Sequence, residues 1–323
     1  MQQFIQQANE FGRQQRPFFF LIDFEGQKPL IMSPSEAAEQ GIYFALEGHT
    51  NTQNRLPSIS LSDVQLGINP ISFADYRQGF TLVQQHLQLG NSYLLNLTYA
   101  SEITINHHLR ELFGAISAPY KLYLEDQLLC FSPESFIKIQ DQQITTYPMK
   151  GTISTVTQDS LDQLLNDQKE LQEHYTIVDL MRNDLAMVAM NIQVKRFRYA
   201  EKIATARGDI WQTSSEICGT LEANWANHIG DILATLLPAG SISGAPKTKT
   251  VDIIQAAEQG PRGYYSGVFG LFDGKSLNSA VAIRFIEQQG DRYYFRSGGG
   301  ITLHSDCRAE YDELCQKIYL PFK

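Results

Sequence analysis

The residues that decide the fold are 263–303, "GYYSGVFGLFDGKSLNSAVAIRFIEQQGDRYYFRSGGGITL". Three apolar and aromatic runs occur here, and Asp-Gly and Gly-Asp dipeptides separate them. Apolar runs of this length, separated by such dipeptides, are typical of strands joined by tight turns. We therefore predict three consecutive antiparallel strands in this segment, which places an antiparallel sheet in the core.

Strand and helix patterns both occur outside this segment. Apolar, aromatic and β-branched residues predict further strands at 17–24, 40–48, 118–132 and 135–148. Apolar residues three and four apart, or good helix boundaries, predict helices at 73–90, 161–189, 245–260 and 305–320. No repeat or low-complexity linker is visible. We predict an α+β fold: a single large domain over residues 1–323, with antiparallel sheets forming the core and helices packed outside.

Composition excludes several classes of protein. The chain has 323 residues, 43% of them hydrophobic, and a formal net charge of -9, whereas nucleic-acid-binding proteins carry a basic face. No apolar run approaches the length of a membrane-spanning helix, and the N-terminus has no apolar signal core. The four cysteines have no metal-type spacing. We expect a cytoplasmic protein with reduced thiols that binds neither nucleic acid nor membrane.

Two pairs of glutamates have a spacing that suits a metal site. Glu170 and Glu173 are three residues apart, as are Glu310 and Glu313, so each pair lies on one face of a predicted helix. If the two helices converge, the four carboxylates suit magnesium, which takes one or two carboxylates together with water and substrate oxygens. A solvated helix face is the alternative for either pair alone.

Two further residues are candidates for acid–base or nucleophilic chemistry. Lys150 lies in "YPMKGTI" (147–153), where its neighbours are apolar or small. Glu134 lies in "SPESF" (132–136), directly after an apolar strand, where partial desolvation would suit a general acid or base. A lone lysine beside glycine is usually a solvated turn residue, and for Glu134 a surface turn is an equally good interpretation.

Three segments have features that suit an anionic ligand. Gly298, Gly299 and Gly300 are consecutive at a strand end, which suggests close backbone approach to a ligand or a simple bulge. Arg284 interrupts an apolar strand pattern and requires a partner, either a ligand carboxylate or a structural ion pair. The Gly/Ser-rich loop in 237–250 enters a helix, whose N-terminus favours anions.

An ordered series of motifs then resembles one enzyme family, the chorismate-utilising enzymes. The motifs are "SPESF", "YPMKGT", "ELQEHYTIVDLMRNDLA", "GSISGAPK", "RGYYSGVFG", "AIRF", "GGGITLHSD" and "AEYDELCQK". They lie in residues 74–323, and residues 1–73 form a divergent part of the same domain. The lysine of Pro-x-Lys-Gly-Thr resembles that of aminodeoxychorismate synthase component I, whereas anthranilate synthase has alanine there.

The resemblance implies a role for each candidate residue. Lys150 would be the nucleophile and Glu134 the acid, with magnesium held by Glu173 and Glu310 and with Glu170 and Glu313 close by or bound through water. Chorismate would contact Gly151, Thr152, Ser241, Ser243, Tyr265, Arg284, Gly298, Gly299, Gly300 and Lys317. A free lysine amine is almost fully protonated at neutral pH, so we expect substrate and metal binding to help generate the nucleophile.

The same resemblance implies the substrates and a partner. They are chorismate and ammonia, and the ammonia would come from a separate glutamine amidotransferase subunit in a transient heterodimer, because the chain contains no recognisable glutaminase motif. Two positions depart from the family pattern. Leu94 lies where the family often has Gln, and Gln212 lies near a position where the family often has His. Three alternatives remain open: anthranilate synthase component I, a subunit that binds chorismate or a partner without turnover, and a Schiff-base lysine enzyme.

Overall fold

A computed structural model describes residues 1–52, 59–60, 63–155, 157, 159–203 and 208–321. Nine α-helices lie within these residues. They are α1 (Gln2–Arg13), α2 (Pro34–Glu39), α3 (Phe73–Gln88), α4 (Leu109–Ala115), α5 (Ser160–Asn166), α6 (Gln168–Ala186), α7 (Ile229–Leu236), α8 (Lys247–Glu258) and α9 (Cys307–Gln316). Short 3₁₀ turns occur at Trp225–His228 and Gly240–Ile242.

The described strands form two antiparallel sheets of nine strands each. The first sheet contains β1 (Phe18–Ile22), β2 (Leu30–Met32), β9 (Ser135–Gln140), β10 (Gln143–Thr146), β11 (Met149–Ser154), β12 (Met190–Ile203), β13 (Ile210–Thr220), β15 (Val268–Phe272) and β16 (Leu277–Val281). The second sheet contains β3 (Ile42–Leu46), β4 (His49–Thr50), β5 (Leu66–Asn69), β6 (Leu94–Ile105), β7 (Tyr120–Leu124), β8 (Leu128–Ser132), β14 (Gly244–Ala245), β17 (Phe285–Gln289) and β18 (Arg292–Ile301).

The strand order differs from the chain order in both sheets. The first sheet has the order β11-β13-β10-β9-β16-β15-β1-β2, and β12 also pairs with β13. The second has the order β14-β6-β18-β17-β8-β7-β3-β4, and β5 also pairs with β6. The first 50 residues thus contribute strands to both sheets, so they fold together with the segments that carry the motifs.

The side chains of β1 show how the two sheets and the helices share one core. Phe19 packs toward the second sheet, where its ring stacks on Phe44 of β3 with centroids 4.9 Å apart. Phe18 and Phe20 project from the opposite face into a cluster that contains helical residues such as Phe4 and Val83. Alternation along a strand produces this division. The prediction of an α+β fold with antiparallel sheets in the core and helices outside is confirmed.

The predicted helix at 161–189 is wrong in one respect, because two helices occupy this segment. Asp167 separates α5 from α6, and its side chain accepts a hydrogen bond from the backbone N–H of Glu170. An aspartate that caps the N-terminus begins a new helix even where no Gly or Pro interrupts the sequence. The break decides where Glu170 lies, because it becomes part of the first turn of α6.

The predicted three-stranded segment 263–303 contains four strands. β15 and β16 belong to the first sheet, whereas β17 and β18 belong to the second. The chain crosses between the sheets at residues 282–284, and Arg284 has a φ of +53° there. The crossing could not be predicted because residues 280–286 are apolar except for Arg284 and contain no Gly or Pro, and both sheets bury such apolar residues.

Two expectations from composition concern membrane spans and thiols. Across the described ranges, no helix is both long and apolar enough to cross a membrane. The four cysteines are all free, and Cys130 and Cys218 are buried.

Candidate active site

A β-bulge in β11 positions Lys150. Lys150 and Gly151 together lie opposite the single residue Thr213 of β13, whose hydroxyl donates a hydrogen bond to the carbonyl oxygen of Lys150. Gly151 has a φ of +81°, a conformation that favours glycine. A bulge locally bends a strand and changes the direction of its side chains, and bulges are frequent beside active sites. The glycine after the lysine therefore determines where the lysine side chain lies.

The Lys150 side chain ends in a small cavity. Its Nζ atom lies 3.5 Å from Oε2 of Glu173, and these side chains are only 21% and 15% exposed. The same Nζ would be 3.0 Å from a Cβ placed on Gly300, so a side chain at position 300 would crowd the amine. We call this space the lysine cavity; its lining residues are Leu94, Leu95, Asn96, Lys150, Gly240, Ser241, Ser243, Gly244 and Gly300.

Glu134 lies beside the lysine cavity and is held by one of its lining residues. The hydroxyl of Ser241 donates a 2.5 Å hydrogen bond to Oε1 of Glu134. Burial raises the pKa of the Glu134 carboxyl, while the hydrogen bond from Ser241 and the ammonium groups of Lys150 and Lys317 oppose that shift. A raised pKa keeps more of the carboxyl protonated near neutral pH, as a general acid requires.

A second cavity, which we call the acid cavity, adjoins the first through Gly240 and Ser241. It is lined by Glu134, Ser135, Phe136, Ile137, Thr146, Pro148, Met181, Asp184, Leu185, Leu236, Ala239, Gly240 and Ser241. Asp184 forms an ion pair with Lys247 at 2.8 Å. Burial raises the pKa of the Asp184 carboxyl, and Lys247 opposes that shift.

Asp184 and Lys247 are not among the site residues that the sequence predicts. Both lie in quoted motifs, "LMRNDLA" and "GAPK". The only sequence signal for either residue is a charge beside apolar helix positions. Asp184 and Lys247 are 63 residues apart, so their ion pair is visible only in the fold.

The carboxylate pair on α6 faces the bulge. Glu173 contacts Lys150, and Oε2 of Glu170 would be 3.0 Å from a Cβ on Gly151. The three-residue spacing thus places both carboxylates beside the two residues of the bulge. The next residue, His174, is fully buried, with Nε2 2.7 Å from the hydroxyl of Ser215.

His174 is likewise not among the site residues that the sequence predicts. Burial and the nearby Arg198 lower the pKa of its imidazole to about 4, so the ring is neutral at physiological pH. Its contact with Ser215 of β13 holds α6 against the strand that pairs with β11. A lone histidine in a helical pattern carries no signal of this kind, because only the packing of α6 shows which strand it meets.

The carboxylate pair on α9 faces a different glycine. A Cβ on Gly299 would lie 3.4 Å from Oε2 of Glu310 and 3.5 Å from Oε1 of Glu313. Glu310 is 7% exposed and accepts a hydrogen bond from the hydroxyl of Ser305. Lys317 binds Glu313 at 2.7 Å and donates to the carbonyl oxygen of Gly298 at 2.9 Å. The glycine run therefore gives the α9 side chains close access to the backbone of β18.

The two carboxylate pairs thus approach the site from different helices. Among the described residues, no three His, Cys, Asp or Glu side chains gather closely enough to hold a metal by themselves. Magnesium needs only one or two carboxylates, with water and substrate oxygens completing its shell, so the donor set remains compatible with it. The magnesium site stays a prediction.

Arg284 and Tyr265 have mainly structural contacts. The guanidinium of Arg284 donates to the carbonyl oxygen of Lys317 at 2.9 Å and lies over the ring of Tyr319 at 4.7 Å. It forms no ion pair with any residue that the structure describes. Tyr265 is 4% exposed and packs between the sheets against Phe285, and it lines neither cavity.

Of the other expected substrate contacts, Gly300, Ser241 and Ser243 line the lysine cavity and Thr152 does not. The hydroxyl of Ser243 is buried, however, and donates to the carbonyl oxygen of Ala239 at 2.8 Å. Thr152 is exposed and pairs through its backbone with β13.

The two departures from the family pattern lie at informative places. Leu94 lines the lysine cavity, with Cδ1 3.2 Å from the position of a Cβ on Gly300. Gln212 is 9% exposed, and its amide donates to the sulfur of Met149 at 2.8 Å. Leu94 therefore forms an apolar wall beside Lys150. Gln212 contacts Met149, the residue before Lys150.

Comparison with known proteins extends the resemblance. The family model for chorismate binding enzymes matches residues 32–322. The chain belongs to the chorismate-binding enzyme family. The match begins before residue 74, so the relationship includes strands that precede the first sequence motif.

Individual relatives of this chorismate-binding enzyme agree with that assignment. An uncharacterised PabA-like protein of Haemophilus influenzae is 59% identical over 323 residues, which are 100% of this chain and 98% of that protein. Aminodeoxychorismate synthase component 1 of Klebsiella aerogenes is 32% identical over 264 residues, 77% of this chain and 57% of that protein. The solved menaquinone-specific isochorismate synthase of Escherichia coli has a TM-score of 0.74 at 16% identity, covering 98% of this chain and 80% of that chain. The fold and the family are thereby shown, and the choice of reaction rests on the site residues.

Proposed function

We propose that this chorismate-binding enzyme acts as aminodeoxychorismate synthase component I. It would convert chorismate and ammonia to water and 4-amino-4-deoxychorismate. The latter is the precursor of 4-aminobenzoate and folate. The observation that carries the proposal is the bulge that holds Lys150 in a cavity beside Glu134. A lysine amine near a carboxyl with a raised pKa supplies a nucleophile and an acid for one substrate.

In the first step, the neutral amine of Lys150 attacks carbon 2 of the chorismate ring. The ring double bonds shift, the bond between carbon 4 and its hydroxyl breaks, and Glu134 gives its proton to the leaving oxygen. Water departs, Glu134 becomes a carboxylate, and the enzyme holds the ring through a C–N bond to Lys150. The hydrogen bond from Ser241 stabilises that carboxylate.

In the second step, ammonia adds at carbon 4. The double bonds shift back, the bond between carbon 2 and Lys150 breaks, and the amine of Lys150 leaves in its neutral form. The new ammonium group at carbon 4 gives a proton to the Glu134 carboxylate. Both residues return to their starting states, and the atoms balance as chorismate plus ammonia giving product plus water.

Substrate and metal binding would use the remaining residues. Glu173 and Glu310, with Glu170 and Glu313 close by, would hold magnesium, which would supply positive charge to offset the ring carboxylate of chorismate. The guanidinium of Arg284 and the glycine backbone beside Lys317 would bind the second carboxylate or ring oxygens. A glutamine amidotransferase subunit in a transient heterodimer would supply ammonia, and ammonium salts should replace it.

The test is incubation of the protein with chorismate, magnesium and ammonium, followed by mass spectrometry. We expect 4-amino-4-deoxychorismate and no anthranilate. Anthranilate as the product would instead assign the protein to the anthranilate-forming members of the family.

A second candidate function follows from Leu94. An apolar wall beside Lys150 removes a polar group that family members often have, and it favours a subunit that binds chorismate without turnover. Chorismate binding in calorimetry without any product, under conditions where ammonium is in excess, would support that candidate.

A further inference from the structure

A buried ion pair contacts two backbone segments that contribute to the lysine cavity. Arg262 and Glu258 have side chains that are only 1% and 3% exposed. Two hydrogen bonds join them, from Nη2 to Oε1 at 2.6 Å and from Nε to Oε2 at 2.9 Å. Desolvation of two charges is unfavourable, and apolar residues of similar size are often as stabilising as a buried ion pair. Stability alone therefore gives a weak reason for this pair.

The remaining donors of Arg262 bind two backbone segments that form walls of the lysine cavity. Nη1 donates to the carbonyl oxygen of Ile242 at 3.0 Å, and Nη2 donates to that of Asn96 at 2.6 Å. Ile242 follows Ser241, which binds Glu134, while Asn96 lies on β6 and lines the lysine cavity. One guanidinium thus connects the two walls.

Glu258 and the adjacent backbone complete this connection. Oε1 of Glu258 accepts hydrogen bonds from the backbone N–H and the hydroxyl of Thr98 on β6, at 2.8 and 2.9 Å. The backbone N–H of Asn96 donates to the carbonyl oxygen of Ser243 at 3.1 Å. The backbone N–H of Arg262 is itself held by Glu25 at 2.8 Å. Both partners of the ion pair are therefore fixed in place on β6.

We infer that Arg262 and Glu258 are a positioning pair that holds the loop Gly240–Ala245 against β6. The pair touches no reacting group and acts through Ser241 on Glu134, and through the two walls on Lys150. Arg262 makes four hydrogen bonds here, two to the carboxylate and one to each carbonyl oxygen, whereas a lysine ammonium has only three donors. The inference rests on the proposed function for its effect on turnover, but its effect on the two walls can be measured separately.

The main test uses the apolar double variant Arg262→Met/Glu258→Leu. The double variant leaves the carbonyl oxygens of Ile242 and Asn96 and the backbone N–H of Thr98 without these partners, so its unfolding temperature should fall. Turnover is therefore measured at a temperature where the variant is folded. Turnover number should fall at least about tenfold, since misplaced acid and nucleophile slow the chemical step more than binding. The matched control is Lys138→Met/Glu47→Leu, which removes an ion pair at 2.6 Å that lines neither cavity, and its turnover number should not change.

A second readout does not depend on activity. Hydrogen exchange in peptides covering residues 94–98 and 239–245 should accelerate at least about tenfold in the double variant, because the hydrogen bonds between the walls lose their anchor. Peptides of β7 and β8 should exchange as in the wild type. The single variant Arg262→Lys keeps the charge without the fork, and it should show the same changes in a folded protein even if the double variant fails to fold.

Wild-type turnover and wild-type exchange in either folded variant would overturn the inference. If the wild-type protein forms no 4-amino product, the proposed function fails, and the exchange experiment still decides whether Arg262 positions the two walls. Slow turnover with unchanged hydrogen exchange would also overturn the inference. The loss of turnover would then not arise from a displaced loop or β6.

Discussion

The Nζ atom of Lys150 lies 3.5 Å from Oε2 of Glu173, across the interface between β11 and α6. This contact joins the expected nucleophile to an expected metal ligand. The bulge at Lys150 and Gly151 directs the amine toward that helix.

Replacement of Lys150 tests the nucleophile directly. Lys150→Ala should lower formation of 4-amino-4-deoxychorismate by at least about 1,000-fold, because the covalent step loses its attacking atom. The measurement is product formation by mass spectrometry with saturating ammonium. Lys138→Ala, which changes a partly exposed lysine of the same sheet, is the control and should retain normal turnover. Full activity of Lys150→Ala would exclude the nucleophile, whereas some anthranilate from it would support the lysine as the residue that selects the reaction.

The acidic residues on the two helices can be tested through metal dependence. Glu173→Gln and Glu310→Gln should each lower magnesium-dependent turnover by at least about 100-fold, because an amide is a much weaker magnesium ligand than a carboxylate. Chelation of magnesium should abolish wild-type turnover. Asp312→Asn on the same helix as Glu310 removes an exposed carboxylate that pairs with Arg308, and it should leave turnover unchanged. Normal activity in either glutamate variant would remove that residue from the metal site.

The pH dependence of turnover tests Glu134. A general acid must be protonated, so Glu134 should set the alkaline limb of the profile, where turnover falls as pH rises through its pKa. The acidic limb reflects the need for a neutral Lys150 amine. Burial raises that pKa, which moves the fall toward neutral pH, while the hydrogen bond from Ser241 lowers it. Ser241→Ala should therefore move the alkaline limb of the profile to higher pH. A limb that moves to lower pH would contradict this assignment, and Glu134→Gln should reduce turnover by about 100-fold or more.

The bulge glycine can be tested against a glycine with similar backbone conformation elsewhere. Gly151→Ala should destabilise the fold by about 1–3 kcal/mol, because alanine is strained at positive φ. Its Cβ would also lie 3.0 Å from Oε2 of Glu170, so turnover should fall as well. Gly290→Ala is the control, since Gly290 has a φ of +61° with nothing within 4 Å of its Cβ position.

Thermal unfolding and turnover measured on both alanine variants separate strain from crowding. Gly290→Ala, the control, should lose stability because of backbone strain but keep its turnover. Equal losses of turnover in the two variants would mean that the bulge does not position Lys150.

Much of the architecture could be predicted from local sequence. The hairpin turns, the helix that ends near Gly90 and the final helix that Asp306 caps all have local causes in turn and capping residues. The three-residue spacing of Glu310 and Glu313 likewise fixed their common helix face, because helical geometry is independent of the rest of the fold.

Other features depended on packing. The crossing of the chain at Arg284 and the burial of Tyr265 follow from which sheet each strand joins, and apolar runs are similar in both sheets. The ion pair between Asp184 and Lys247 depends on contacts between distant segments, as does the connection that Arg262 makes between Ile242 and Asn96.

The sequence by itself determined that a lysine precedes a glycine in "YPMKGTI", that two glutamate pairs share helix faces, and that the motifs follow one family's order. The tertiary structure decided that Lys150 and Gly151 form a bulge opposite Thr213, so that the amine enters a cavity beside Glu134. The physical reason is that strand register and helix packing are set by burial across the whole domain, and they bring together side chains that lie far apart along the chain.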